Sequence, residues 1–296
     1  MIDNRTGLLG VIGDPIEHSL SPALHNFVLE KLNLNYCYHS FHVARDRLRD
    51  YFQGFHILDF RGINVTIPHK ESVIPFMTQL SPEARILEAV NTIHFELNVI
   101  TGYNTDSAGF LKSLGEIRNQ LKNNQIIVLG AGGSARAIIY ALITQQVGEI
   151  RIFNRTPAKA ENLALCFRDK MAYRNIFGHP MKKDQLSAVM ADAFLMINTT
   201  SVGMHPNVTA SPLDPAIEIP ASIGVYDLIY NPMKTQLLQR AQAYGAWTLN
   251  GLDMLIFQGI AALEIWLNRS IDAQPFLPEL RRHLIALLGD ASVQKD

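Results

Sequence analysis

The residues best suited to chemistry begin with the turn Gly130-Ala131-Gly132-Gly133-Ser134-Ala135, which has the form GxGxxA. It stands between a short apolar run, Gln125 to Leu129, and a helical stretch from Ala135 to Gln145. In that setting the first glycine allows a tight turn, and the second lets backbone approach a pyrophosphate. The small third position lets strand and helix pack closely. Free N–H groups and the positive dipole end of the helix then favour phosphate oxygens. A glycine turn needed only for packing is the plainer alternative; the flanking strand and helix favour nucleotide binding over it.

The next strand ends in Asn154-Arg155-Thr156, with no carboxylate until Glu161. NAD enzymes commonly carry an acidic side chain here to bond the ribose 2′-hydroxyl. A carboxylate would repel a 2′-phosphate, whereas a guanidinium bonds it bidentately. Thr156 adds a hydroxyl and Lys159 a second positive charge one helical turn on. Each cation alone is ordinary at a solvated helix start; together, at this position, they point to NADP.

Four further polar segments lie outside that loop. In His18-Ser19-Leu20-Ser21-Pro22, Ser21 reads as a helix N-cap before a proline at the first helical position. Ser19 has no such duty, and two hydroxyls at i and i+2 at a strand end can hold a carboxylate or a polyol. In Asn64-Val65-Thr66-Ile67-Pro68-His69-Lys70, Pro68 ends a strand. Lys70 therefore falls at the strand's C-terminal edge, where α/β proteins bind ligands; taken alone, a lysine there is a solvated side chain. Asn91-Thr92 is the third segment and Gly102-Tyr103-Asn104-Thr105-Asp106-Ser107-Ala108-Gly109 the fourth. By itself, Asp106 is explained as the cap of the helix that follows.

These residues need a scaffold, and the pattern around them supplies one. Strands are expected at Gly7 to Gly13, Tyr36 to Val43 and Ile63 to Ile67, with helices from Ser21 to Leu32 and Arg45 to Phe55. Two more strands within Ala89 to Asn104 join through Asn98. That βαβαβ order favours a mostly parallel α/β unit. From about Asp106 the pattern restarts, with strands at Gln125 to Leu129, Glu149 to Phe153, Phe194 to Ile197 and Ile223 to Leu228, and a helix from Pro157 to Phe167. This is a second α/β domain, doubly wound and Rossmann-like. A helix from Gly251 to Asn268 is expected to return to the first domain.

Composition narrows the class. The 296 residues carry a formal net charge of −1 and are 48% hydrophobic, which argues against nucleic acid or a membrane surface as partner. The two cysteines, Cys37 and Cys166, are far apart with no CxxC, which argues against a disulfide framework and a zinc site. His39 and His42 point to opposite faces of a strand and make no metal site. No signal peptide or membrane span is evident, so a cytoplasmic protein is expected. Trp266 and Trp247 read as packing residues.

Taken together, SLSPALHN, NVTIPHK, AVNT, GYNTDSAGF, GAGGSARA, NRT, NTTSVGM, DLIYNPMKTQLL and GLDMLIFQG run in one order from Ser19 to about Gly259. In that order they resemble the shikimate dehydrogenase family. The resemblance implies a substrate domain of residues 1–106 completed by helices of 251–296, with an NADP domain of 107–250 between. It implies reversible, NADPH-dependent reduction of 3-dehydroshikimate to shikimate, on the route to chorismate and aromatic amino acids. Carried over by position, Lys70 and Asp106 are the catalytic pair and Ser19 and Ser21 bind the substrate carboxylate. Thr66, Asn91 and Gln258 bond ring hydroxyls, and Tyr230 lies near the carboxylate end. Thr199, Leu228, Gly251 and Met254 line the nicotinamide side. Where arginine is frequent in the family, this chain has Lys159, which keeps the charge and loses the planar fork.

Rival readings are a dual quinate/shikimate dehydrogenase, a non-catalytic NADP-binding regulator, and a thioester-forming reductase. The last needs a nucleophilic cysteine, and Cys37 in a strand and Cys166 in mid-helix are poorly placed. The sequence leaves monomer or homodimer open.

Overall fold

Apolar runs separated by amphipathic stretches fold as strand–helix repeats because each strand's hydrophobic faces must be covered by a neighbouring layer. The computed structural model describes residues 2–293, and in it the chain divides into two units. One holds the residues up to Gly109 and those from Leu255 onward; the other is Phe110–Met254.

The first unit runs β1 (Gly7–Gly13), α1 (Ser21–Lys31), β2 (Tyr36–His42), α2 (Leu48–Ile57), β3 (Phe60–Val65), β4 (Gln79–Leu80), α3 (Pro82–Leu87), β5 (Thr92–Glu96) and β6 (Val99–Tyr103). The strand order is β2-β1-β3-β5-β6-β4. Strand β1 pairs parallel with β2 and β3, but β5 runs antiparallel to both β3 and β6. The mostly parallel expectation therefore holds: β6 and β4, which pair parallel, run in the direction of β1, β2 and β3, and β5 alone is reversed. Only Leu97 and Asn98 link β5 to β6, too few for a crossover, so the two must form a hairpin. Ile12, Ile63, Val65, Val90 and Ile93 build the core beneath α2.

Helix α4 (Asp106–Ser113) carries the chain into the second unit. There β7 (Gln125–Leu129), α5 (Gly133–Thr144), β8 (Glu149–Asn154), α6 (Pro157–Met171), β9 (Ile176–Pro180), α7 (Lys183–Met190), β10 (Ala193–Asn198), β11 (Gly224–Asp227), α8 (Gln236–Ala243) and β12 (Thr248–Leu249) follow. The sheet reads β12-β11-β10-β7-β8-β9, and every pairing in it is parallel. The chain winds outward from β7 to β9, then returns beside β7 and winds the other way. This is the doubly wound pattern, and its reversal lies between β7 and β10, where such sheets bind nucleotides. Trp247 lies against β11 at Gly224, where a Cβ would come within 1.9 Å of the indole.

Helix α9 (Leu252–Leu267) brings the chain back, and α10 (Leu277–Val293) packs on α1. The glycine in β3 has a packing reason. A Cβ at Gly62 would lie 2.0 Å from Nε1 of Trp266 on α9, whose N–H donates to the Ile93 carbonyl at 2.9 Å.

Candidate active site

In the first unit, backbone bonds draw the polar segments together. Val65 N–H donates to Asn91 O at 2.8 Å, Val90 N–H to Lys70 O at 2.8 Å, and Asn91 N–H to Tyr103 O at 3.0 Å. The turn after β3, the approach to β5 and the exit from β6 are thereby neighbours. Lys70 Nζ lies 2.5 Å from Asp106 Oδ2, with the two side chains 17% and 8% exposed. Lys70 is thus a held ammonium rather than a solvated one. Nor is Asp106 the cap of α4: it is already the first helical residue, its N–H donates to Asn104 Oδ1 at 3.1 Å, and its carboxylate oxygens accept from Lys70 and Asn91.

Asn91 is the hub of this cluster. Its amide donates to Asp106 Oδ1 at 2.8 Å and to Thr105 Oγ1 at 3.0 Å. Its oxygen accepts from Thr105 N–H at 2.8 Å and Thr92 Oγ1 at 2.9 Å. Both protons and both lone pairs are therefore engaged. Gln258 Oε1 stands 3.5 Å from the Asn91 amide, while its own Nε2 donates to Leu255 O at 2.9 Å. Behind Asn91, Asn64 Nδ2 donates to Thr92 Oγ1 at 3.0 Å, and the Tyr38 hydroxyl donates to Asn64 Oδ1 at 2.7 Å. Burial holds the Tyr38 phenol well above its ordinary range, so it stays a neutral donor. Sequence reasoning gave Tyr38, Asn64, Thr92 and Thr105 no role. The signal was a polar side chain within a strand for Tyr38, Asn64 and Thr92, and just before α4 for Thr105, which a buried network explains.

The serine pair reverses its expected division of labour. The N-cap position of α1 is Leu20, and Ser21 is already helical and buried. It is Ser19 Oγ that accepts the Ser21 N–H, at 3.3 Å. Thr66 follows β3 directly, with its N–H on Ile12 O at 2.9 Å.

The second unit holds the nucleotide candidates. Gly130 has φ +107, and a Cβ there would meet Thr199 Oγ1 at 2.6 Å. Thr199 in turn donates to Leu129 O at 2.7 Å. Side chains at Gly132 or Gly133 would touch nothing within 4 Å, so internal packing does not require these two glycines. They instead leave the start of α5 bare, and no side chain caps that helix. Ala135 is fully buried, as close strand–helix packing demands. At the end of β8, the Asn154 amide donates to Thr156 O at 2.9 Å. Arg155, Thr156 and Lys159 are exposed, and no side chain caps α6. Uncapped helix starts, small residues and exposed cations fit the diphosphate and 2′-phosphate of NADP.

Beyond β11, a Cβ at Gly251 would lie 1.9 Å from Leu228 O, so these two backbones touch. Tyr230 is half-buried and Met254 buried. Asp227, which sequence reasoning also passed over, organises this edge. It accepts from Thr235 Oγ1 at 2.6 Å, Asn198 Nδ2 at 3.0 Å and Ile229 N–H at 3.2 Å. Burial pushes its carboxyl up to about 6 against those bonds.

Among the described residues, no group of three or more His, Cys, Asp or Glu could hold a metal, and no helix is long and apolar enough to cross a membrane. Residues 11–93 match the family described as shikimate dehydrogenase substrate binding domain, and residues 113–202 that described as shikimate / quinate 5-dehydrogenase. The chain is similar to the shikimate dehydrogenase (NADP(+)) of Methanopyrus kandleri, with 39% identity over 96% of this chain and 98% of that one. It is 42% identical to the same enzyme of Caldanaerobacter subterraneus subsp. tengcongensis, over 92% of this chain and 95% of that one. A crystal structure of a shikimate dehydrogenase in complex with NADP+ matches with a TM-score of 0.89 at 35% identity, covering 97% and 98% of the two chains. Likeness of this extent runs through both units, and the chain belongs to the shikimate dehydrogenase family.

Proposed function

We propose that this protein is an NADP-dependent shikimate dehydrogenase, reversibly reducing the ring ketone of 3-dehydroshikimate to shikimate on the route to chorismate and aromatic amino acids. The observation that carries the reading is the Lys70–Asp106 pair, 2.5 Å apart and largely shielded from water. NADPH, when bound, supplies the hydride. The residues that would hold it are Gly130 to Ala135, Asn154, Arg155, Thr156 and Lys159, with Thr199, Leu228, Gly251 and Met254 on the nicotinamide side.

The chain's own residues manage the oxygen. As negative charge develops there, the Lys70 ammonium hydrogen-bonds it and delivers a proton; in the oxidation direction Lys70 takes that proton back. Asp106 accepts one of the three ammonium protons and so aims the others. The Asn91 amide, on the other carboxylate oxygen, stops Asp106 from rotating. Ser19 and Ser21 bind the substrate carboxylate, with Tyr230 near that end, and Thr66, Asn91 and Gln258 bond the ring hydroxyls. Since the hydrogen bonds of Asn91 are already full within the protein, its contact with substrate draws an N–H away from Thr105. The proposal includes a cytoplasmic monomer or homodimer with small-molecule ligands only.

The test is an assay at about 340 nm, where reduced nicotinamides absorb, crossing shikimate and quinate with NADP and NAD. Turnover confined to shikimate with NADP supports the reading. Comparable rates with quinate or NAD move the protein to a dual specificity, and silence in all four with NADP still binding favours the regulator. In Lys70→Ala, kcat should fall by roughly 100-fold or more while NADP affinity stays within about twofold. Near-normal turnover would overturn the assignment of Lys70.

A further inference from the structure

One acid beside the proposed catalytic pair has no part in it so far. Glu83 stands in the first turn of α3, whose start is already capped by Ser81 Oγ accepting the Ala84 N–H at 3.1 Å. An acid in a first helical turn is ordinary when it faces solvent. Glu83 instead is only half exposed, and its Oε1 accepts the hydroxyl of Ser107. Ser107 is 3% exposed and is the residue next to Asp106 in the first turn of α4. The turn is thus tethered on both sides of Asp106, by Asn104 before it and by Ser107 after it.

Resting on the Lys70–Asp106 reading above, we propose that Glu83 is a positioning residue for the pair. Its hydrogen bond to Ser107 sets where Asp106 stands, and its charge strengthens the negative field that retains the Lys70 proton. Burial raises the proton affinity of Glu83, the Ser107 bond opposes this, and the charge of Asp106 adds to the rise. The two carboxylates therefore sense one another. Strands β4 and β6, packed against α3, carry no Asp, Glu, Lys, Arg or His, and Tyr103 on β6 is their one titratable group. Arg85 and Glu88, on the same helix as Glu83 and at its end, are exposed, and Lys112 closes α4.

Charge and tether can be separated by mutation. Glu83→Gln keeps an oxygen for Ser107 and removes the charge, whereas Ser107→Ala keeps the charge and removes the tether. Both are measured by melting temperature and by the pH profile of kcat in the reduction direction, beside Asp106→Asn. Removing a negative charge makes the pair give up its proton sooner. In Glu83→Gln the alkaline limb should move to lower pH by roughly half a unit or more, with a plateau within about threefold of wild type. In Ser107→Ala, kcat should fall by about 3- to 10-fold at every pH with the limb unmoved, and Ser107→Thr should restore it. Melting temperatures near wild type in all of these exclude simple loss of fold. A Glu83→Gln profile that superimposes on wild type, with full turnover in Ser107→Ala, overturns the role of Glu83. If Asp106→Asn is crippled in that case, the inference on Glu83 fails alone. If Asp106→Asn also turns over normally, the catalytic reading itself has failed.

Discussion

A single amide, that of Asn91, ties the pieces of the proposed site together, and its bonding pattern separates orientation from binding. One N–H and one lone pair hold Asp106 and Thr92, so truncation frees the carboxylate to turn. Asn91→Ala is expected to lower kcat by about 10- to 100-fold, with a smaller rise in the shikimate KM; steady-state kinetics give the split. Arg155 makes the opposite prediction. In Arg155→Ala the NADP dissociation constant should rise by about 10- to 100-fold, as loss of a charge-assisted bidentate contact implies, while NAD binding is unchanged; titration calorimetry measures both. Arg155 could be singled out from sequence because an absent carboxylate and a present guanidinium are local facts. Lys70 was not legible by itself: its partner lies 36 positions away, and only a hairpin that the local pattern left unoriented brings the two segments together.

Elements buried on both faces were the easiest to read, and edges the hardest. Strand β7 matches its apolar run residue for residue, because a strand covered on both sides needs an apolar side chain at nearly every position. Strand β9 went unread because it is an edge strand that contains Gly178 and Pro180, residues which weaken any local strand signal. The start of α1 was misassigned by one residue in its cap, since two flanking serines drew the reading to a side-chain cap, whereas the backbone enters the helix at Leu20, which has none. Where strand ends meet loops, close approach leaves no slack. Gly251→Ala would drive a methyl group into Leu228 O, 1.9 Å away, and should cost roughly 3 kcal/mol or more. Urea denaturation would show it as a lower midpoint with an unchanged slope.

At the scale of the whole molecule, acid acts in opposite senses on two buried groups, one in each unit. His25, buried in the first unit and stacked on Tyr38 with centroids 4.1 Å apart, is lowered to about 3 from 6.5 by burial, with nearby Asn64 pulling weakly the other way. Below 6.5 the unfolded chain takes up a proton there that the folded one refuses. This contribution is complete above 6.5 and is lost as pH falls toward 3. At pH ~5 the loss is about 2 kcal/mol, from about 1.4 kcal/mol per unit. Asp227, in the second unit, behaves inversely. With its carboxyl raised from 3.8 to about 6, the folded state holds the extra proton, so stability is full below 3.8 and falls as pH rises through 6. Between pH ~4 and ~7 that amounts to about 3 kcal/mol. The lowered His94 adds to the trend of the first unit and the raised Glu83 opposes it, while the lowered His179 opposes Asp227. The ring nitrogens of His25 have no hydrogen-bond partner, so His25→Phe keeps the stack and should flatten the acid loss of stability between pH ~7 and ~5. Thermal melts across that range decide it, and an undiminished loss would rule His25 out as the cause.

Each unit also seats one of the chain's two tryptophans on a strand glycine, Trp266 on Gly62 and Trp247 on Gly224. That arrangement is an optical label with one chromophore per unit. Trp266 is fully buried with its N–H bonded, so it should emit towards the blue; Trp247 is half-buried and should emit redder. Trp247→Phe leaves a fluorophore that reports on the first unit alone, its ring 5.6 Å from His25 and open to quenching once that imidazole takes a proton. The wild-type spectrum therefore carries two unfolding records at once, separable by colour without any added dye.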